Sequence, residues 1–279
     1  MTAIPIMING LPGNVATELC RHVAGRTEFE WIGCSLTGPE ITDDDITVAG
    51  RTVELIRPGG RDAAVASLKR SHPDVILIDF THPSAVNDNA RFYCAHSLPF
   101  VMGTTGGDRR MLAETVQEST TAAVIAPNMA KQIVGFQAML AYAAERFPGL
   151  FSGYTLSVKE SHQQGKADTS GTAKAVVQSF NRLGIPFAPE QIRKERDPQV
   201  QQTEWGIPQA FLGGHGWHTY DLVSPDGTVS FSFSHNVNGR EVYIQGTLDA
   251  VVFLYEQINR RQARGRVFSM IDVLEGGGS

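Results

Sequence analysis

One stretch of this chain concentrates the residue types of acid–base and anion chemistry: Glu160-Ser-His162-Gln163-Gln-Gly-Lys166-Ala-Asp168-Thr-Ser170-Gly171-Thr172. It leaves a predicted strand, Tyr154 to Ser161, and enters a predicted helix, Gly171 to Leu183. A helix opening on Ser-Gly-Thr offers backbone amides and two hydroxyls to a carboxylate or phosphate. Lys166 and His162 stand just upstream, in a glycine-containing loop that can fold back over that point. An imidazole with an ordinary pKa of about 6.5 is a natural general acid near neutrality. An anionic substrate would meet a cation, a proton donor and an anion site within one segment. The plain alternative is a surface loop with an N-capping serine and solvated charges.

Other histidines carry less. His215 and His218 form H-x-x-H without a third ligand at a diagnostic spacing, so a structural or substrate-gating role is expected and no metal. His235 and Arg240 flank Asn236-Val-Asn-Gly239, read as a turn at a strand end. Arg240 suits bidentate capture of a carboxylate. His22, His72, His82 and His96 read as surface or helix-flanking residues.

A second group of residues points to a nucleotide. Gly10-Leu11-Pro12-Gly13-Asn14-Val15-Ala16 joins a first strand (Ile4 to Asn9) to a helix, and such a turn lets amides approach a pyrophosphate. The end of the next strand, Cys34-Ser35-Leu-Thr37-Gly38, carries no acid until Glu40. Repulsion of a 2′-phosphate is thereby removed, and Ser35 and Thr37 can donate hydrogen bonds to it. NADPH is therefore expected, with NADH as the alternative. Phe80, in Asp79-Phe80-Thr-His-Pro83, follows another strand. Gly103-Thr104-Thr105-Gly106 could lay amides and hydroxyls along a nicotinamide ribose. Ala126-Pro127-Asn128-Met129 opens the link to the second half.

The elements that would hold these residues are readable. Strands at Ile4 to Asn9, Phe29 to Leu36, Val75 to Phe80, Phe100 to Met102 and Ala122 to Ala126 alternate with helices, as in a parallel sheet covered on both faces. The helices are predicted at Val15 to Ala24, Ser84 to His96 and Asp108 to Ser119. After Pro127 the pattern changes to a helix (Gln132 to Arg146), the strand and helix of the acid–base segment, and alternating strands from 215 to 247. A closing helix, Thr247 to Arg264, follows. The expected architecture is α/β: a Rossmann-like, doubly wound N-terminal sheet plus an α+β domain with a mixed, open sheet. Residues 1–130 and 242–279 would form the dinucleotide-binding domain, and 131–241 a substrate-binding and oligomerisation domain.

Composition sets the outer limits. The chain has 279 residues, 42% of them hydrophobic, and a formal net charge of −5. That balance argues against general nucleic-acid or anionic-membrane binding, since both need a basic surface. Three scattered cysteines (Cys20, Cys34, Cys94) fit a reducing compartment. No apolar run is long enough to span a bilayer, and the N-terminus does not read as a signal peptide. The terminal Gly-Gly-Gly-Ser is left out of the fold.

Taken together these segments resemble the dihydrodipicolinate reductase family. The Gly10 turn, Asp79-Phe-Thr81, Gly103-Thr-Thr-Gly106, Ala126-Pro-Asn-Met129, the His162 to Thr172 segment, and His235 with Arg240 run in family order over nearly the whole chain. Val86-Asn-Asp-Asn-Ala90, Val101-Met-Gly-Thr-Thr-Gly-Gly-Asp-Arg109 and Glu160-Ser-His-Gln163 look most like the plant branch. The resemblance implies a homotetramer, in the cytoplasm or the plastid stroma, whose last helix returns to the first domain. It implies reduction of 4-hydroxy-tetrahydrodipicolinate to tetrahydrodipicolinate on the route to diaminopimelate and lysine. His162 would be the proton donor and Lys166 the essential cation. Ser170, Gly171 and Thr172 would bind a substrate carboxylate, with Arg240 nearby and Gln163 orienting the substrate. Gln163 replaces a second histidine, Thr169 a proline, and Asn14-Val15-Ala16 the usual basic residue, Met and Gly. A reductase of another cyclic imine acid, or a dinucleotide-binding sensor, are the alternatives.

Overall fold

The computed structural model describes residues 3–261 and 263–276. The chain divides into two compact units, residues up to 131 together with those from 243 onward, and residues 132–242.

The first unit begins with β1 (Ile4–Asn9), α1 (Asn14–Val23), β2 (Phe29–Trp31), β3 (Cys34–Leu36), β4 (Asp45–Val48), β5 (Arg51–Ile56) and α2 (Arg61–Ser71). It continues with β6 (Ile76–Asp79), α3 (Val86–Ala95), β7 (Phe100–Met102), α4 (Arg109–Gln117) and β8 (Ala123–Ile125). Six strands form one sheet in the order β13-β8-β7-β6-β1-β2, where β13 is Val267–Phe268 near the end of the chain. All its pairings are parallel. The chain winds from β1 outward to β2, then restarts at β6 on the other side. The switch point between β1 and β6 is where ligands settle in such sheets, beyond the carboxyl ends of the strands. The apolar strand runs read from the sequence are the buried centre: Ile6, Ile8, Leu77 and Val101 are fully covered.

Two expectations are corrected here. The run from Phe29 to Leu36 is not one strand. Ile32 donates to Ile6, whereas Gly33 accepts from Glu54, so the chain leaves the large sheet at that point. β3 pairs instead with β5, which pairs antiparallel with β4 in a separate small sheet. The closing helix is α8 (Glu241–Asn259), which starts before Thr247 and ends before Arg264. Gly246 lies within this helix, at a point where a Cβ would overlap the carbonyl oxygen of Met129. A short helix, α9 (Met270–Gly276), follows β13. The last three residues of the Gly-Gly-Gly-Ser tail lie outside the described residues.

The second unit contains α5, which opens at the boundary (Lys131–Arg146), β9 (Thr155–His162), α6 (Gly171–Arg182), β10 (Arg193–Glu195), α7 (Pro198–Thr203), β11 (His215–Val223) and β12 (Ser230–Asn238). Its sheet runs β10-β9-β11-β12 and is mixed, with only the β9–β10 pair parallel. Asn236 to Asn238, expected in a turn, continue β12, and the chain turns only at Gly239, with φ of +73°. One face is covered by α5 and α6 through Leu140, Val176, Val177 and Phe180, which pack with Val158, Tyr220 and Leu222. Burying each such side chain contributes about 1.5–3 kcal/mol.

Candidate active site

In the first unit the expected nucleotide residues gather at one edge, because parallel strands end on the same side. Gly10, with φ of +103°, turns out of β1, and a side chain there would overlap the Phe80 carbonyl beyond β6. A Cβ on Gly103 would overlap the Phe80 ring, which packs across that loop. Leu11 is buried, whereas Pro12, Gly13 and Asn14 are exposed and Val15 half-buried. α1 starts with no side-chain cap and no acid in its first turn. A helix start left this way favours an anion through its amides and dipole, so the turn fits a pyrophosphate.

Beneath this edge lies a buried polar network that the sequence did not announce. The carboxylate of Asp79, fully covered, accepts from Thr81 N and Oγ1, Thr104 Oγ1, Tyr93 OH and Asn89 Nδ2. Asn9 donates to the Tyr93 hydroxyl and accepts from Leu36 N. Burial first, and then Asp79, push the Tyr93 phenol well up. The only available signal was a polar residue closing each apolar strand run, Asn9 and Asp79.

This network changes the reading of several candidates. Thr104 Oγ1 donates to Asp79 at 2.6 Å, and the amides of Gly103 and Thr104 bond to the Asp79 carbonyl at 3.0 and 3.3 Å. These groups shape the loop and do not face a ribose; Thr105 beside them is exposed. Ser35 and Thr37 are likewise buried. Thr37 Oγ1 donates to the Leu11 carbonyl at 2.7 Å, and Ser35 Oγ accepts from Leu11 N at 3.3 Å. Their hydroxyls fasten the Gly10 turn to the end of β3, which corrects the expectation that they hold a 2′-phosphate. At that same end the carboxylate of Glu40 folds over Gly38, where a Cβ would overlap it. Pro127 is exposed, Asn128 accepts from Ala130 N at 2.9 Å, and Met129 is buried.

The second unit assembles the acid–base segment on the covered face of its sheet. Residues two apart on a strand share a face, so Glu160 and His162 point together at the end of β9. Register places His218 of β11 opposite Glu160, and His235 of β12 opposite His218. Gly216 lies opposite His162, and a Cβ there would stand 3.0 Å from the His162 ring. The glycine makes room for the imidazole. His162 Nδ1 is 3.0 Å from the His215 carbonyl, and its Nε2 is 3.3 Å from His218 Nε2. The His218 ring stacks on His235 at 4.6 Å. His215, three residues from His218, faces the other way and bonds Ser161 at 2.9 Å, so H-x-x-H is not a chelating pair.

Burial holds His162 down to about 4; Glu160 opposes this, while Arg196 and Lys166 reinforce it. Burial also lowers His235 to about 4 and takes His218 well below its ordinary value, with His235 and His162 adding to the effect.

Arg196 and Glu160 form the frame of the loop. Glu160, fully buried, receives Arg196 Nη2 at 2.5 Å on one oxygen and the Ser170 amide at 3.0 Å on the other. Arg196 Nε also donates to the Lys166 carbonyl at 2.8 Å. Gln201 of α7, fully buried, donates to the His162 carbonyl at 2.7 Å. Neither residue was found in the sequence, since both come from a segment without a motif. Because Ser170 N is held by Glu160, the helix start is not wholly open as expected. Gly171 is exposed and Thr172 half-buried, and the first intrahelical bond is made later, by Lys174 N. Lys166 pairs with Asp168 at 2.8 Å, while Gln163 is half-buried. Arg240 is half-buried against Gly214, with no ion pair or hydrogen bond among the described residues.

Glu160, His162 and His218 each bring one ligand atom within 4.8 Å of the others. The donor set does not fit a cation, because a guanidinium and an amide already fill the Glu160 oxygens.

Comparison with known proteins agrees with this geometry. Residues 4–129 match the family described as dihydrodipicolinate reductase, N-terminus, and residues 133–274 match dihydrodipicolinate reductase, C-terminus. The chain is 45% identical to 4-hydroxy-tetrahydrodipicolinate reductase 1, chloroplastic, of Arabidopsis thaliana, covering 98% of this chain and 78% of that protein. It is 43% identical to probable 4-hydroxy-tetrahydrodipicolinate reductase 1, chloroplastic, of Oryza sativa subsp. japonica, covering 99% of this chain and 80% of that one. Among solved structures, dipicolinate-bound dihydrodipicolinate reductase from Paenisporosarcina sp. TG-14 shares the fold, with TM-score 0.65 and 17% identity over 96% of this chain and 97% of that chain. The chain belongs to the dihydrodipicolinate reductase family.

Proposed function

We propose that this chain reduces 4-hydroxy-tetrahydrodipicolinate to tetrahydrodipicolinate in diaminopimelate and lysine biosynthesis. The observation that carries the reading is the retained His162–Lys166–Ser170-Gly-Thr172 segment, framed by a buried Glu160–Arg196 pair in a chain of this family. A bound nicotinamide dinucleotide would supply the hydride. His162 gives the proton that completes the reduction, from Nε2, since Nδ1 faces a carbonyl. Lys166 balances negative charge on the substrate ring or its carboxylate, exchanging Asp168 for the ligand. Gly171 and Thr172, with the buried Ser170 holding the loop, receive one carboxylate. Arg240, which has no anionic partner among the described residues, receives another or steers it, and Gln163 orients the ring.

Residues 10–15 would receive the pyrophosphate of the dinucleotide. Phe80, Gly103, Thr105 and Pro127 to Met129 would line the rest of its path, on the first unit. Either dinucleotide is proposed to serve. No acid stands at 35–37 to exclude NADPH, while the Glu40 carboxylate beside Gly38 favours the ribose diol of NADH. A homo-oligomer is proposed through the second unit, whose edge strand β12 exposes Phe231 and whose α5 exposes Met139 and Tyr142. No described helix is long and apolar enough to cross a membrane. Cytoplasm or plastid stroma is the proposed compartment.

Replacing Lys166 with Ala tests the assignment. Turnover should fall by about 10²–10³-fold while dinucleotide binding, followed by fluorescence, stays unchanged. Unchanged turnover would remove Lys166 from the mechanism.

A further inference from the structure

The histidines at the end of the second sheet restrict where hydrogens can lie. The His215 carbonyl, 3.0 Å from His162 Nδ1, can only accept. Nδ1 therefore carries a hydrogen whether the ring is neutral or charged, and every change of protonation occurs at Nε2. That nitrogen lies 3.3 Å from His218 Nε2, a spacing that calls for one hydrogen between two ring nitrogens. In the neutral pair it belongs to His218 and points into the His162 lone pair. If His162 is charged, the hydrogen is its own, and His218 must carry its hydrogen on Nδ1. His218 Nδ1 is buried without a hydrogen-bond partner among the described residues. The charged state thus strands a buried N–H, whereas the neutral state strands only a lone pair. His218 has little freedom to turn aside, being 3% exposed and stacked on His235.

We propose that His218 is a positioning residue that keeps His162 unprotonated at Nε2 until an anionic substrate enters, so that substrate binding loads the acid. The inference rests on the reading of His162 as proton donor and adds the condition under which it donates. The groups facing His162 agree. Glu160 on its own strand favours the charged ring, while Arg196 from beyond β10 and Lys166 from the loop disfavour it. His218 of β11 caps the lone pair, and His235 of β12 lies behind His218. A dicarboxylate arriving at Lys166 offsets the cationic side of this balance, and His162, only half-buried, takes a proton from water. Over the whole turnover the 4-hydroxyl leaves as water and the dinucleotide would supply the hydride; the Nε2–H bond breaks with its electron pair kept on the ring, its proton forms the C–H bond beside the reduced carbon, and the neutral ring again accepts from His218.

Nitrogen-15 NMR of the imidazoles in the whole protein tests this. At pH 7 the free wild-type protein should carry hydrogen on His162 Nδ1 and on His218 Nε2, with His162 titrating near about 4. His218→Phe should raise the proton affinity of His162 about tenfold or more, one unit of pKa. His218→Gln, whose amide can still donate, should remain close to wild type. Calorimetry in buffers of different ionisation enthalpy, with pyridine-2,6-dicarboxylate as probe, should show proton uptake on binding that shrinks in His218→Phe. Hydrogen on Nε2 of neutral His162 would overturn the proposal, and that is read in the wild type should a variant fail to fold. Identical His162 titration in wild type and His218→Phe, or binding without proton uptake, would also overturn it. Loss of the reductase assignment would appear separately, as absent turnover with these tautomers intact.

Discussion

The two units solve the problem of holding a ligand in opposite ways. At the edge of the first sheet the groups proposed to meet the dinucleotide are largely backbone, and side chains work from below. Asp79, Tyr93, Asn9 and Thr104 form a buried network whose product is the shape of four loops. In the second sheet the groups proposed to meet the substrate are side chains, and one buried ion pair, Glu160–Arg196, fixes the loop that carries Lys166 and Ser170. The Asp79 carboxylate keeps four of its five donors when one is removed, so this network tolerates loss of one member. A buried charge left without its partner has no such recourse.

That contrast orders the expected effects. The largest belongs to the reacting group: His162→Gln should lower kcat by about 10²–10⁴-fold with dinucleotide affinity unchanged. If binding and turnover fell together, the division of labour between the units would be wrong. Next, Arg196→Leu should destabilise the protein by about 3–5 kcal/mol, since it strands the buried Glu160 carboxylate. Tyr93→Phe should cost about 1–3 kcal/mol, the price of one unsatisfied partner in the first unit's network. Chemical denaturation measures both, and a Tyr93→Phe loss equal to that of Arg196→Leu would erase the contrast.

Acidification should also separate the units. His162 and His235 are held at about 4 in the folded protein, against about 6.5 in the unfolded chain. Above about 6.5 both states are neutral and the difference vanishes. Below it the unfolded chain binds protons that the folded one refuses, so stability falls as pH drops from about 6.5 toward 4. Thermal melts should follow that slope, and His235→Phe should flatten it. The smallest effect is expected at the first unit's surface. Glu40→Gln should raise kcat/KM for NADPH relative to NADH a few-fold, by removing a carboxylate from the ribose end; an unchanged ratio would detach Glu40 from the cofactor.

Much of this organisation was legible in the residues. Apolar runs located β1, β6 and β7, with glycine turns after β1 and β7, and the His162 to Thr172 segment marked the candidate acid–base residues. What escaped was long-range. Arg196 and Gln201 sit in a stretch with no periodicity, and reach the site because β10 pairs with β9. His218 was visible, but its partner was not, since register across β9 and β11 is a tertiary property. Ser35 and Thr37 were visible too, and their hydroxyls were assigned to a ligand when the Gly10 turn was close enough to claim them. A hydroxyl at a strand end reads the same in either role. The hairpin of β4 and β5 left no mark in a strand–helix rotation, and it diverts β3 from the main sheet.

The central claim is that this chain completes a hydride reduction of a cyclic imine dicarboxylate with a proton from His162. The most direct measurement is oxidation of NADPH and NADH at 340 nm, with substrate generated in situ from aspartate semialdehyde and pyruvate by the preceding synthase. The account predicts oxidation that requires the synthase and is lost in His162→Gln. Absence of oxidation by a folded, dinucleotide-binding protein would contradict it and point to another imine acid as substrate.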